Sequence, residues 1–173
     1  IGTGKILNIP NEVIAQFLKT TKALEHRLEN FFLKKNTLFV NDSKGTNVES
    51  TIKAIEAFKN KIILIAGGEN KKICNDELIK KINERVGFVY LIGETGAILA
   101  EEMEKIGYKK YKNLGTLEKV LVDIKENLDF EDSQTILFSP ATASFDQFKN
   151  FEERGKIFKE LTNKILRENQ IER

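Results

Sequence analysis

Residues 41–46 carry the sequence NDSKGT, which places a carboxylate, a hydroxyl and a lysine directly after an apolar run. When such a loop connects a strand to a helix, the backbone N–H groups at the helix start attract anions. The Asp42 carboxylate can accept hydrogen bonds from sugar hydroxyls, and the Lys44 ammonium can pair with a phosphate or a carboxylate. The alternative is an ordinary polar loop in which Thr46 opens a capping box for the next helix. The residue pattern alone leaves both interpretations open.

Residues 67–72 carry the sequence GGENKK and also follow an apolar run. Two consecutive glycines allow the backbone to turn sharply or to approach a ligand closely. Lys71 or Lys72 can then reach back over that ligand, whereas the alternative is an exposed turn with solvated lysines. This segment is therefore a second candidate anion site.

Residues 139–148 carry the sequence SPATASFDQF, in which small residues and a proline follow an apolar run and precede aromatic residues. Ser144 and Gln147 have the spacing of a capping box, which predicts that a short helix starts at Ser144. Its hydroxyl and the following N–H groups would form an uncharged cradle for a carboxylate. The phenylalanines are interpreted mainly as core residues.

Four further features have clear alternatives. The planar guanidinium of Arg27 suits a phosphate, whereas its neighbour His26, a single histidine, is more often structural than catalytic. Cys74 precedes a predicted helix start, but no base accompanies it and we interpret it as incidental. Residues 2–5 (GTGK) imitate a phosphate loop, yet Ile6 stands where that loop needs Ser or Thr.

The elements that must position these residues are strands alternating with helices. Short runs rich in β-branched and aromatic residues predict buried parallel strands at 38–40, 62–65, 88–92 and 135–138, with further strands at 31–34 and, weakly, at 108–112. Amphipathic patterns predict helices at 9–22, 46–58, 76–85, 95–106, 116–128 and 151–166. We therefore expect an α/β fold, a Rossmann-like three-layer sandwich with a mainly parallel sheet of about six strands and helices on both faces. Ligands of such sheets bind beyond the carboxyl ends of the strands, where the candidate segments lie.

Length, charge and composition exclude several classes of protein. The 173 residues fit one domain, and 28 basic against 26 acidic residues give a net charge of +2, too balanced to indicate a nucleic-acid or membrane partner. No apolar run approaches the ~18 residues of a membrane helix. One cysteine and one histidine exclude an ordinary zinc site and favour the cytoplasm. Since the chain starts at Ile1 without a signal-peptide pattern, we expect a fragment or a processed chain.

Three of these segments together resemble a known family. Residues 24–29 (LEHRLE), residues 41–47 (NDSKGTN) and the pattern Ser-Pro-Ala-x-Ala-Ser-x-Asp-x-Phe-x-x-Phe-x-x-Arg-Gly-x-x-Phe, which starts at Ser139, resemble the C-terminal third of the Mur ligases. The resemblance covers residues 9–166 in order, and the last pattern is long and specific. Within the family, residues 41–47 resemble the member that adds D-glutamate.

The resemblance implies a three-domain, ATP-dependent amide ligase of peptidoglycan precursor synthesis that works through an acyl phosphate. Residues 1–23 would be the end of the central ATPase domain and a linker, and residues 24–173 the C-terminal domain. This domain would bind D-glutamate and close over ATP. The other domains would bind UDP-N-acetylmuramoyl-L-alanine, Mg²⁺ and most of the nucleotide, so that the chain alone is inactive and holds no metal. The enzyme would be a cytoplasmic monomer.

The resemblance also implies roles for single residues at the nucleotide. Arg27 matches the arginine that reaches the ATP phosphates, and Asp42 matches the aspartate that binds the ribose. Lys44 and Thr46 match residues that line the amino-acid site. Arg27 and Lys44 are the expected catalytic residues.

The expected D-glutamate site has two ends. Lys71 matches the lysine that pairs with one carboxylate, with Lys72 as the alternative register. Ser144 and the backbone N–H groups of Phe145 and Phe151 match the cradle for the other carboxylate.

Two alternative functions remain at this stage. The first is another Mur ligase, or a ligase domain of the folylpolyglutamate synthase type, that adds a different amino acid. The second is a stand-alone Rossmann-like nucleotide-binding module.

Overall fold

A six-stranded sheet organises the described part of the chain. The computed structural model describes residues 2–20, 24–70 and 74–167. The strands are β1 (Glu29–Lys34), β2 (Thr37–Asn41), β3 (Lys61–Gly67), β4 (Val86–Ile92), β5 (Tyr111–Gly115) and β6 (Gln134–Phe138). Their order in the sheet is β1-β2-β6-β3-β4-β5, and all neighbours are parallel except β1 and β2. The predicted α/β fold with a mainly parallel sheet is thus confirmed.

Helices cover both faces of this sheet. The described helices are α1 (Gly2–Ile6), α2 (Asn11–Thr20), α3 (Val48–Glu56), α4 (Asp76–Arg85), α5 (Thr95–Lys105), α6 (Leu117–Asn127) and α7 (Phe151–Leu166), and the last five of them pack on the sheet. One core layer joins the sheet to α3, α4 and α5, and includes Ile55, Ile82 and Leu99. The other joins it to α6 and α7, and includes Leu121 and Phe158. Because β2, β3, β4 and β6 are buried on both faces, their sequences are continuous apolar runs.

Several local predictions are wrong in detail. The helix predicted from residue 46 starts at Val48, and its cap is Asn47, whose side chain accepts a hydrogen bond from the N–H of Ser50. No helix starts at Ser144; its carbonyl accepts the N–H of Phe148 at 2.8 Å in a turn. The edge strand predicted at 108–112 runs instead from Tyr111 to Gly115, because polar residues on a sheet edge leave little apolar pattern.

The two N-terminal helices differ from the rest because neither buries a residue. Apolar side chains of α2 face outward, among them Val13, Phe17 and Leu18, which are exposed by 53%, 64% and 51%. The GTGK segment lies in α1, so it does not form a phosphate loop after a strand. None of the helices that the structure describes is long and apolar enough to cross a membrane.

Candidate functional site

The loops that follow β2, β3 and β6 meet at the carboxyl edge of the sheet, as parallel strand ends must. The N–H of Ala141, after β6, donates to the carbonyl of Gly45, after β2, at 2.9 Å. The N–H of Glu69, after β3, donates to the carbonyl of Ala143 at 3.0 Å. The described parts of the three candidate segments therefore lie side by side.

A cavity of about 250 Å³ opens beside the loop after β2. Arg27, Lys44 and Lys53 line it together with Asp42. Three basic side chains around one carboxylate suit a ligand with phosphates and hydroxyls. The sequence analysis missed Lys53, although a basic residue in the last turn of the short helix after the loop is a signal that could have found it.

Asp42 is buried and already has hydrogen-bond donors inside the protein. Its Oδ2 accepts from the Ser139 hydroxyl at 2.7 Å, and its Oδ1 accepts from the N–H of Leu28 at 3.2 Å. Burial raises the pKa of the Asp42 carboxyl above its ordinary value, against these hydrogen bonds and the nearby charge of Arg27. Each carboxylate oxygen has a further lone pair, so the group can accept from a ligand hydroxyl as well.

Arg27 stands on a strained turn between two residues with left-handed backbone. The φ angles of His26 and Leu28 are 63° and 44°, a region that such side chains rarely adopt. Carboxylates hold both neighbours, because the N–H of His26 donates to Glu29 Oε2 at 3.0 Å and the N–H of Leu28 donates to Asp42. The turn thereby fixes the direction in which the Arg27 side chain starts from the backbone.

His26 has a structural environment. The ring is 6% exposed, and its Nδ1 lies 2.9 Å from Asn41 Nδ2. It packs so closely on Gly155 that a Cβ at that glycine would collide with Nδ1. These contacts agree with the structural interpretation of the single histidine, and they join the turn before β1 to α7.

Lys44 lies between the first cavity and a second, more open one. Its Nζ is 5.7 Å from the centroid of the Phe151 ring, within reach of a cation–π contact. The second cavity, of about 710 Å³, is also lined by Phe151 and by Lys156. Thr46 is half-buried and does not line either cavity, although its N–H donates to the carbonyl of Lys44 at 2.9 Å.

The other predicted site residues lie around the loop after β6. Ser144 is buried, whereas the side chain of Phe145 is 63% exposed and lines a separate open cavity. Phe151 is the first residue of α7, so its N–H belongs to the helix start that favours anions. Lys71 and Lys72 lie outside the described residues, and their roles stay predictions. Cys74 is exposed just before α4.

Arg154 is a site residue that the sequence analysis did not single out. It is completely buried, and burial lowers the pKa of its guanidinium to about 10. It donates to the carbonyls of Ser43, Thr142 and Ala143 and to the Ser43 hydroxyl. Its spacing from Phe151 and Phe158, three and four residues, puts a charge on the apolar stripe of α7, which is a signal that could have found it.

One group of acidic and histidine side chains has the geometry to hold a metal ion among the described residues. It consists of Glu25, His26 and Glu29. The Nζ of Lys159 already donates to both carboxylates, at 2.7 Å to Glu25 and 2.9 Å to Glu29. A divalent cation would have to displace this ammonium, so the group does not fit one.

Sequence comparisons place the chain among ligases. Residues 26–142 match the family model described as "Mur ligase, glutamate ligase domain". UDP-N-acetylmuramoylalanine--D-glutamate ligase from Fusobacterium nucleatum is 43% identical over 168 residues, which are 96% of this chain and 39% of that protein. The enzyme of the same name from a Thermoanaerobacter species is 44% identical over 161 residues, which are 92% of this chain and 35% of that protein. The chain therefore spans little more than a third of the length of these relatives.

Structural comparison finds the same fold in two solved ligases. A MurF ligase from Thermotoga maritima, crystallised with ADP, matches with a TM-score of 0.59 and 19% identity over 95% of this chain and 36% of that one. A bifunctional folylpolyglutamate synthase/dihydrofolate synthase from Yersinia pestis matches with a TM-score of 0.56 and 16% identity over 88% of this chain and 34% of that one. At these identities the likeness concerns the fold.

Proposed function

The chain belongs to the Mur ligase family, and we propose that it is the C-terminal domain of a UDP-N-acetylmuramoyl-L-alanine:D-glutamate ligase. The observation that carries the proposal is the cavity at the carboxyl edge of the sheet, which Arg27, Lys44 and Lys53 line together with Asp42. Relatives of that name at 35–44% identity support it. The reaction would belong to peptidoglycan precursor synthesis in the cytoplasm.

The proposed reaction consumes one ATP for each amide bond. A carboxylate oxygen of UDP-N-acetylmuramoyl-L-alanine attacks the γ-phosphorus, so that an O–P bond forms and ADP leaves. The amine of D-glutamate then attacks the carbonyl carbon of this acyl phosphate. The C–O bond to phosphate breaks as the tetrahedral intermediate collapses, and the nitrogen loses a proton.

This chain would supply one side of the nucleotide site. We assign Arg27 to the ATP phosphates, because its strained turn directs it and its fork matches phosphate oxygens. Asp42 would accept a ribose hydroxyl through its remaining lone pairs. Lys53, which lines the same cavity, would add charge for the phosphates.

The chain would also supply the D-glutamate site. Lys44 and Thr46 would line it, Lys71 would pair with one carboxylate, and Ser144 with the N–H groups of Phe145 and Phe151 would hold the other. A hydrogen bond to a charged carboxylate contributes about 1.5–3 kcal/mol. Holding the amine at attack distance from the acyl phosphate supplies a large part of the catalysis.

The rest of the site would come from other domains of the enzyme. We assign residues 1–23 to the end of the central domain, since the exposed apolar side chains of α2 suit a helix that packs against another body. Residues 24–173 would form the C-terminal domain. The Mg²⁺ that accompanies ATP would be held by the central domain, because the acidic cluster described here is bonded to Lys159. The enzyme would act as a monomer, without nucleic acid or membrane.

The decisive experiment follows phosphate release by the full-length enzyme with ATP and UDP-N-acetylmuramoyl-L-alanine while the amino acid is varied. We expect activity with D-glutamate and little with L-glutamate, L-lysine or meso-diaminopimelate. Ser144→Ala should raise the KM for D-glutamate about tenfold, since it removes one hydrogen bond to a carboxylate. A preference for lysine or meso-diaminopimelate, or for L-glutamate with a folate acceptor, would contradict the proposal.

A further inference from the structure

Arg154 joins two loops that are far apart in sequence. It lies in the first turns of α7, and its side chain is completely buried. On one side its Nη2 donates to the carbonyl of Ser43 at 2.8 Å and its Nε to the Ser43 hydroxyl at 3.0 Å. On the other side its Nη1 donates to the carbonyls of Thr142 and Ala143 at 3.1 and 3.0 Å.

The two loops carry the two halves of the proposed site. Ser43 stands between Asp42 and Lys44, which line the nucleotide cavity. Ala143 directly precedes Ser144, which we assign to D-glutamate. The carbonyl of Ala143 also accepts the N–H of Glu69, so the loop after β3 is held by the same group. One guanidinium therefore fixes the spacing between the nucleotide loop and the amino-acid loop.

The surroundings of Arg154 are unusual for a group that serves stability alone. Within the described part of the chain, all its hydrogen bonds go to carbonyls and one hydroxyl, and the Asp146 carboxylate acts on its charge without a hydrogen bond to it. Burying a charge is costly unless a partner compensates it, and apolar residues of similar volume often stabilise a core better. What the guanidinium offers is a rigid planar set of donors with fixed directions, which lysine and apolar side chains lack.

We propose that Arg154 is a positioning residue that holds the nucleotide loop and the amino-acid loop in one register, so that binding of ATP strengthens binding of D-glutamate. The inference rests on the proposed function and goes beyond it, because Arg154 contacts neither ligand in the proposed site. Such coupling is reciprocal, so D-glutamate must strengthen nucleotide binding by the same factor.

The test uses the full-length enzyme with Arg154→Met and Arg154→Lys. The matched control is Gln134→Met, which removes a buried side-chain amide from the opposite edge of the sheet. Calorimetry measures the Kd of D-glutamate with and without a non-hydrolysable ATP analogue, and steady-state kinetics give the KM of both ligands. Urea unfolding is followed in parallel, so that effects on stability and on binding are separated.

In the wild type we expect the analogue to lower the Kd of D-glutamate by about fivefold or more. Arg154→Met should bring this factor close to one and raise both KM values, while Gln134→Met lowers stability but leaves the factor and both KM values within twofold. Arg154→Lys should restore one KM better than the other, because an ammonium cannot reach the acceptors of both loops at once.

A folded Arg154→Met enzyme with unchanged KM values and unchanged coupling would overturn the inference, as would a wild type without coupling. If Arg154→Met does not fold, Ser43→Ala and Arg154→Lys take its place. Unchanged coupling between the ATP analogue and D-glutamate in both variants would then overturn the inference. A wild type that ignores D-glutamate but uses another amino acid overturns the proposed function instead. The same variants then measure coupling to that amino acid.

Discussion

The two edges of the sheet bury polar groups in opposite ways. At the amino edge, Thr37 and Gln134 are neutral and completely buried. The Gln134 amide donates to Thr37 Oγ1 at 3.2 Å and to the carbonyl of Asp129 at 2.7 Å. At the carboxyl edge, the buried groups include the carboxylate of Asp42 and the guanidinium of Arg154.

The backbone differs between the edges in the same sense. At the carboxyl edge, the non-glycine residues His26, Leu28 and Ala141 have positive φ angles, between 44° and 64°, whereas at the amino edge the described residues include one of this kind, Lys35, with a φ of 52°. Such residues cost of order 1–3 kcal/mol each and persist where the surroundings over-determine them. The amino edge also carries a cost, since Gln134 Oε1 is buried without a hydrogen-bond partner. The difference is that the carboxyl edge buries charged groups and holds more residues in strained backbone, so that more stability is given up there to hold groups in fixed places. Substitutions at the two edges should therefore separate stability from ligand binding.

The largest expected effect is at Gly68, on the carboxyl edge. Its φ is 155°, and a Cβ there would collide with the carbonyl of Ala143 and lie 2.6 Å from Thr142 Oγ1. Gly68→Ala should cost about 1–3 kcal/mol from overpacking in addition to backbone strain, because backbone has to move. It should also raise the KM for D-glutamate, since the displaced loop leads to Ser144. Urea unfolding and steady-state kinetics measure the two effects.

Gly107 is the matched control for this prediction. Its φ is 79°, and a Cβ there would meet nothing within 4 Å. Gly107→Ala should therefore cost only the left-handed backbone penalty of about 1–2 kcal/mol and leave D-glutamate kinetics unchanged. Equal losses of stability in Gly68→Ala and Gly107→Ala would show that the collision of the new Cβ at Gly68 adds no cost, which would contradict the prediction.

Asp42→Asn should weaken ATP binding while it keeps the internal hydrogen bonds of residue 42. Asparagine can keep both internal contacts, by accepting from the N–H of Leu28 and donating to the Ser139 hydroxyl. The charge needed for a strong bond to a ribose hydroxyl is lost, so the KM for ATP should rise about tenfold. Kinetics with varied ATP measure this rise, and an unchanged KM would remove Asp42 from the nucleotide site.

We also expect Asp42→Asn to change how the free energy of unfolding depends on pH. Because burial raises the pKa of Asp42 above 3.8 in the folded state, the folded protein binds this proton more tightly than the unfolded chain. The resulting stabilisation is complete below the unfolded pKa and is lost as the pH rises through the folded pKa. Asp42→Asn should therefore gain stability relative to wild type as the pH rises from about 4, the unfolded pKa, towards neutral pH. Urea unfolding across this range measures the difference, and a gap that does not widen with pH contradicts the prediction.

The smallest expected effect is at the amino edge. The Thr37 hydroxyl donates to the carbonyl of Phe130 at 3.3 Å and accepts from Gln134. Thr37→Val should cost about 1 kcal/mol, because Gln134 keeps its bond to Asp129. Neither KM should change. A raised KM for either ligand would mean that the edges are not independent.

The sequence predicted the sheet because its central strands, such as Ile62–Ile65 within β3, are apolar on both faces. It also predicted that the three loops meet, since parallel strands bring their carboxyl ends to one edge. It did not predict the cap at Asn47 or the start of β5 at Tyr111, because several neighbouring residues suit those places equally well. Helix caps and edge strands are decided by small energy differences.

The contacts that connect the loops of the site could not be predicted from the sequence, for another reason. Arg154 contacts Ser43, which lies 111 positions earlier in the chain. No local pattern records a contact at that separation, although Arg154 belongs to the last pattern of the family resemblance and places a charge on the apolar stripe of α7. The strained turn at Arg27 was equally hidden, because neither neighbour is a glycine.

The position of β6 affects how the chain can fold during its synthesis. This strand lies in the middle of the sheet, between β2 and β3, yet it follows five other strands in sequence. A nascent chain that has not reached Gln134 therefore has two open strand edges where β6 must later insert, and open edges invite wrong pairing. Since synthesis proceeds from the amino end, the centre of the sheet forms only after the other five strands have been made. The arginine that joins the two loops lies in α7, which follows β6 in sequence, so the binding surface can become native only after the last strand of the sheet has been made.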